Sequence, residues 1–243
     1  MIRRLNFGFI VVFVTAFIVA ACGRQVTPNP PGLGAGGAPP GYLALHFDVA
    51  APFNFSNYQY MFVFNTTGGG VTPSTDTVQT NWAGYSFALL AQGNGAISSA
   101  EVVQLVPPKA GKGPPSWLPL HTNPQQFSYN LNSNGTGTEF SLLAQKAIFA
   151  GITSPPPSPT PSPATWKFNV FTTQPGGSRG QWFFLDSMGA GGPVDPQFVS
   201  PTLCMLQPFD NTYVALGFTP PDPSAQIVSV EIANNPAKPA PCP

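Results

Sequence analysis

Hydrophobic and polar residues alternate along most of this chain with a period of two. "GYLALHFDV" places Leu43, Leu45, Phe47 and Val49 on one face and His46 and Asp48 on the other. "YQYMFVFN" sets Tyr58, Tyr60, Phe62 and Phe64 against Gln59, Met61, Val63 and Asn65, and "TWKFNVFTT" aligns Trp166, Phe168 and Val170. "QFSYNLN", "QWFFLDS", "TYVALGF" and "AQIVSVEI" predict further strands, the last with Val228, Val230 and Ile232 on one side. Segments 82–91 and 97–106 are apolar enough for strands but less regular. Only "EFSLLAQKAIFAG", residues 139–151, carries a helical spacing, through Phe140, Leu143, Ala147 and Phe149. Many short strands and one short helix predict an all-β, antiparallel β-sandwich, immunoglobulin-like or jelly-roll-like, with long Pro-rich loops.

Proline punctuates the pattern twice. "PPKAGKGPPSWLP" (107–119) and "SPPPSPTPSP" (154–163) are excluded from central strands, because proline donates nothing to a ladder. The second divides the chain into parts of unequal size. An isolated β remainder of about 80 residues buries proportionally little surface. The expectation is therefore a single domain over 42–233 with a Pro-rich loop at 153–164 and a Pro-rich tail at 234–243.

The first residues follow another pattern. Arg3 and Arg4 precede an apolar run that continues to Ala21. That run is shorter than the ~20 residues a membrane-crossing helix needs. A basic start, a short apolar middle and small residues before a break describe a secretory signal over 1–21. "VAAC", Val19 to Cys22, resembles the lipobox of bacterial lipoproteins. In that family the cysteine thiol receives a diacylglycerol and the signal is cut just before it. The resemblance thus implies lipidation at Cys22 and a membrane partner held through the anchor, with each buried methylene contributing ~0.8 kcal/mol. The alternative is an ordinary signal peptide beside a bystander cysteine. Gly23 follows, where an aspartate would favour inner-membrane retention in that family. This leaves the outer membrane or cell surface open, facing periplasm or exterior. Residues 22–41, dense in glycine and proline without apolar periodicity, read as a flexible tether.

Composition sharpens the picture. Charged residues make up 7% of the chain, against a typical ~25%. Loss of Arg3 and Arg4 with the signal leaves slightly more acidic than basic side chains. No basic patch exists to neutralise phosphates, so nucleic acid is not an expected partner. With Cys22 assigned to lipid, Cys204 and Cys242 form an even pair in an oxidising compartment. A disulfide between them would contribute ~3–4 kcal/mol, the alternative being two free thiols.

A second resemblance rests on the order of motifs. An aromatic strand ends in "FNTT", a hairpin "YNLNSNGTGTEFSLL" follows, and "WKFNVFTTQ" leads through a glycine turn to "DSMG". This order resembles the β-sandwich modules of family-nine carbohydrate-binding modules, glucodextranase C-terminal modules and DOMON domains, across residues 42–232. Those groups bind sugars, haem or nothing known, so the resemblance implies a fold without fixing a ligand.

Several constellations invite chemistry. "GGSRG" (176–180) has the spacing of a nucleophile elbow, but a strand follows it, and His46 and His121 both lie upstream of Ser178. A glycine turn explains it better. His46 and Asp48 share a strand face, which suits two metal ligands or simply a polar outer face. "NSNGTGTE" offers oxygens at Asn132, Asn134 and Glu139, candidate ligands for a structural calcium; one carboxylate is little charge for that ion, and an Asn-Gly hairpin is the alternative. Asp186 and Asp195 flank a Gly-rich segment without a spacing that defines a glycosidase pair. Aromatic faces stack on sugars, and Trp117 in its proline-flanked loop is the leading ligand candidate, with Trp82, Tyr85, Tyr58 and Tyr60 behind it.

The expectation is a non-enzymatic, membrane-anchored lipoprotein whose sandwich binds a carbohydrate or another envelope ligand, with no catalytic residues. The alternative is a structural or assembly lipoprotein that docks on another envelope protein.

Overall fold

The computed structural model describes residues 37–66, 78–79, 85–93, 98–106, 116–150, 164–175, 182–189 and 200–242. The strands run β1 (Tyr42–Val49), β2 (Gln59–Asn65), β3 (Val78–Gln79), β4 (Phe87–Gly93), β5 (Ser98–Val106) and β6 (Ser116–Pro119). They continue with β7 (Phe127–Asn130), β8 (Glu139–Gln145), β9 (Thr165–Pro175) and β10 (Trp182–Ser187). The last three are β11 (Thr202–Cys204), β12 (Phe209–Val214) and β13 (Ile227–Asn235).

They form two antiparallel sheets. Sheet A has the order β12-β13-β1-β8-β7; sheet B has the order β3-β10-β9-β2-β4-β5-β6, with β11 also paired to β9. This is an all-β sandwich, as the period-two patterning predicts.

The inner faces meet in an aromatic core. Leu43, Leu45 and Phe47 from β1, Phe62 and Phe64 from β2, and Phe140 and Leu142 from β8 are buried together with Trp166 and Phe168 from β9. Phe47 stacks on Phe140 within sheet A at 5.0 Å and meets Phe62 of sheet B edge-on at 5.5 Å. Aromatic pairs prefer these two geometries because the ring face is negative and the edge positive. Each such ring taken from water contributes ~1.5–3 kcal/mol.

Sheet B is buried on its outer face as well. Met61, Val63, Leu90, Val103, Phe171 and Phe184 form a second apolar cluster there. A strand buried on both faces reads as a nearly continuous apolar run, which is how "YMFVF" and "FALLA" read.

Two sequence expectations are corrected. Residues 139–145 are strand β8, followed by a 3-10 turn over Lys146–Ala150, so the helical spacing does not produce an α-helix. Pairing to β1 decides this: Phe140 and Leu142 face Phe47 and Leu45 across the ladder and point into the core. In β13, Val228 is 42% exposed while Ile227, Val230 and Ile232 are buried. Asp48 pairs with Ser229 and Val49 with Ile227, so Val228 is the extra residue of a bulge and turns outward.

Both ends of the domain are tied down. Ala38, which falls in the expected tether, is 2% exposed, and its carbonyl accepts from Asn235 Nδ2 at 2.8 Å. In the tail, Cys204 and Cys242 are bonded with their Cα atoms 6.2 Å apart. Ala240 N donates to Leu206 O at 3.0 Å. Lys146 Nζ donates to Asn234 Oδ1 at 2.8 Å and to Met205 O at 3.3 Å.

Candidate functional site

Three of the aromatic candidates, Tyr58, Tyr60 and Tyr85, take structural places. Tyr60 is fully buried on β2. Its hydroxyl accepts the Asn54 N–H at 3.0 Å and donates to Ser224 O at 2.9 Å, which fixes the loop before β13. Burial pushes its ionisation well above that of an ordinary phenol. Tyr58 is half-buried and donates to Asp222 Oδ2 at 2.7 Å. That bond, with those from Ser224, holds the Asp222 carboxyl below the usual carboxylate range. Tyr85 is buried on the outer face of sheet B, where burial pushes its hydroxyl up to about 12 despite hydrogen bonds to Ser200 and Asn169. Trp117 is half-buried on β6 and packs against the same outer cluster. Trp82 lies outside the described residues, as do Cys22, Ser178, Asp195 and the segments 107–115 and 151–163. None of the four described candidates stands clear as a stacking platform.

The hairpin oxygens are also in use. Asn132 Oδ1 accepts Gly137 N at 2.7 Å, and Asn134 Oδ1 accepts Thr136 N at 3.1 Å. Gly137 has φ of +77°, a conformation that favours glycine, and its carbonyl accepts Phe53 N at 2.8 Å. Glu139 accepts from Ser133 Oγ and lies 3.0 Å from His46 Nδ1. Asparagine side chains bonded to their own turn leave little free oxygen for a calcium ion. Among the described residues, no group of three or more His, Cys, Asp or Glu side chains is placed to hold a metal ion.

Asp186 bridges strands of the two sheets. It is 1% exposed between the sheets. Oδ2 accepts Ile227 N at 2.7 Å and Oδ1 accepts Ser187 N at 2.9 Å. Burial raises its carboxyl to about 7, against the pull of those two N–H groups. His46 and Glu139 sit on the outer face of sheet A instead, so Asp186, Glu139 and His46 do not assemble into one acid–base site.

What sequence reading missed is the convergence on that outer face. Ladder pairing sets Asp48 opposite Glu139 and His46 opposite Glu231, and sets Glu231 opposite Thr212. Asp210, two residues before Thr212, points the same way. Four of the chain's nine carboxylates therefore share a face with one histidine. Ser229 Oγ donates to Asp48 Oδ2 at 2.7 Å. Burial raises Asp48, and burial together with the Asp210 carboxylate raises Glu231 to about 7. The one sequence signal was the polar half of each alternating strand. The sequence does not reveal which strands are neighbours.

Comparison with protein-family models, with curated proteins and with solved structures finds no match to this chain. Among the described residues, no helix is long and apolar enough to cross a membrane.

Proposed function

We propose that this is an exported, lipid-anchored envelope protein whose non-catalytic β-sandwich serves as a docking module for another envelope protein. The observation that carries the anchor is "VAAC" at 19–22, followed by a glycine- and proline-rich segment that leads into β1. From Cys22 to Gly37 the chain reaches at most about 50–54 Å when fully extended. That keeps the domain close to the headgroups. Docking is favoured over sugar recognition by where the aromatic rings lie: Tyr60 and Tyr85 are buried and Tyr58 is tied to Asp222. A carbohydrate ligand keeps one supporting feature, the half-buried Trp117 beside the exposed Leu118.

Membrane fractionation of cells carrying the wild type or Cys22→Ser tests the anchor. The wild type is expected in the membrane fraction and the variant released or left with its signal uncut. Unchanged fractionation of the variant would remove the anchor. Crosslinking in intact cells separates the ligand classes. Defined protein adducts support docking, whereas adducts confined to glycan that vanish with Trp117→Ala support the carbohydrate reading.

A further inference from the structure

The edges of the two sheets are not equally protected. Sheet B is bounded by the two-residue β3, the three-residue β11 and the four-residue β6, which ends in Pro119. Sheet A is bounded on one side by the four-residue β7. Its other edge is β12, six residues of sequence FDNTYV. Natural edges are blunted by lysine, proline, bulges or short length, because a bare edge pairs with any extended chain. Strand β12 has no lysine, proline or bulge, and its single charge, Asp210, sits near one end. It pairs with β13 in unbroken register, and Asp210, Asn211, Thr212 and Val214 are exposed.

Which backbone groups are free follows from the ladder. Ala215 N donates to Val228 O at 3.0 Å, continuing the register in which Val214 faces Ser229. In an antiparallel pair, residues that exchange bonds alternate with residues that do not. Phe209, Asn211 and Tyr213 therefore bond to β13, and the N–H and C=O groups of Asp210, Thr212 and Val214 point away from the sheet.

The side chains around those groups describe a partner. Asp210 lies on the outer face at one end of β12, and Glu231 stands behind Thr212. Asp48 and Glu139 extend the acidic surface across β1 and β8, and none of the outer-face positions of these strands is a lysine or arginine. At the other end Val214 is 64% exposed and Leu216 is 61% exposed.

We propose that β12 is a strand-addition site for an extended, basic segment of a partner protein. The segment adds antiparallel, as every strand of this sheet does. One apolar residue lies beside Val214, and lysine or arginine two and four positions later lies beside Thr212 and Asp210. Main-chain hydrogen bonds supply the affinity, and the acidic face selects the sequence. This names the surface and partner chemistry for the docking function proposed above. It does not depend on the lipid: loss of the anchor would move the protein from the membrane without changing peptide binding.

The test uses the full chain purified in detergent and a synthetic ten-residue peptide with a central Val-Thr-Lys-Thr-Lys, against the same peptide with glutamate for lysine. The lysine peptide is expected to bind, to slow hydrogen exchange at the Asp210, Thr212 and Val214 amides, and to weaken as salt rises. The glutamate peptide is expected not to bind. Thr212→Pro removes an outward N–H without touching the β13 ladder, so it should fold and weaken binding by more than about tenfold. Asp210→Asn with Glu231→Gln should weaken it by about five- to tenfold, and serves if the proline variant fails to fold. Equal binding of the two peptides, or protection of amides elsewhere, would overturn the proposal. Self-association that Thr212→Pro abolishes would assign the edge to a second copy of the chain and overturn the basic partner.

Discussion

Asp186 on β10 accepts the backbone N–H of Ile227 at 2.7 Å, so one carboxylate oxygen of sheet B fixes the first residue of β13 in sheet A. The other oxygen holds Ser187 N on its own strand. Asp186→Asn keeps the shape but turns one acceptor into a donor that faces an N–H. A buried polar group left unpaired costs about 1–3 kcal/mol, and urea unfolding at pH 7 should read a loss of that size. Because burial disfavours the ionised carboxylate near pH 7, the loss should be larger at pH 5 than at pH 8, and a variant as stable as the wild type at both would show that the bond contributes nothing.

The same carboxyl makes stability depend on pH. Its ordinary value is 3.8 and the fold raises it to about 7, so the folded state favours the proton. The contribution is complete below the ordinary value and is lost as pH rises through about 7. Glu231 acts in the same direction over the same window, raised from 4.5 to about 7 by burial and by Asp210. Thermal melting of the wild type should therefore fall between pH 5 and pH 8. Glu231→Gln should remove part of that slope and Asp186→Asn another part. A wild type that melts at the same temperature across this range would contradict both assignments.

Tyr60→Phe separates a structural tyrosine from a ligand-binding one. Loss of the hydroxyl strands the Asn54 N–H and the Ser224 carbonyl, at a cost of about 1–3 kcal/mol. Tyr58→Phe breaks one half-buried bond to Asp222 and should cost about 0.5–1.5 kcal/mol. Denaturant midpoints in that order are expected. A Tyr60 variant as stable as the wild type would return this residue to the list of binding candidates.

The bond between Cys204 and Cys242 closes a 38-residue separation and holds the tail against β11. Replacement of both cysteines by serine should lower stability by ~3–4 kcal/mol, mostly through a less restricted unfolded chain. Proteolysis should then cut first near Ala240, whose N–H bonds to Leu206 O. A variant as stable and as resistant as the wild type would show that the remaining contacts suffice.

Much of the fold was legible because β-strands bury alternate residues. Leu43, Leu45 and Phe47 are all in the core, as their spacing requires, and so are Trp166, Phe168 and Val170. The misreadings have physical causes. In 139–145 the residues Phe140 and Leu143 fit a helical face, yet partners on β1 reward Phe140 and Leu142 instead. Val228 looked like a core residue because a bulge shifts register without leaving a mark in its own sequence. The site was less legible. Asp186 and Ile227 are 41 residues apart, and Asp48 and Ser229 are 181 apart. No local pattern encodes such pairs. The unguarded edge became visible only once β12 was known to lie outermost, although its lack of lysine and proline was in plain view.

Lipidation of Cys22 can be read from the mature protein itself, by mass spectrometry of protein extracted from membranes. An N-terminal fragment that begins at Cys22 and carries a thioether-linked diacylglycerol is expected, with no fragment from residues 1–21. A mature chain that begins elsewhere, or an unmodified Cys22, would contradict it.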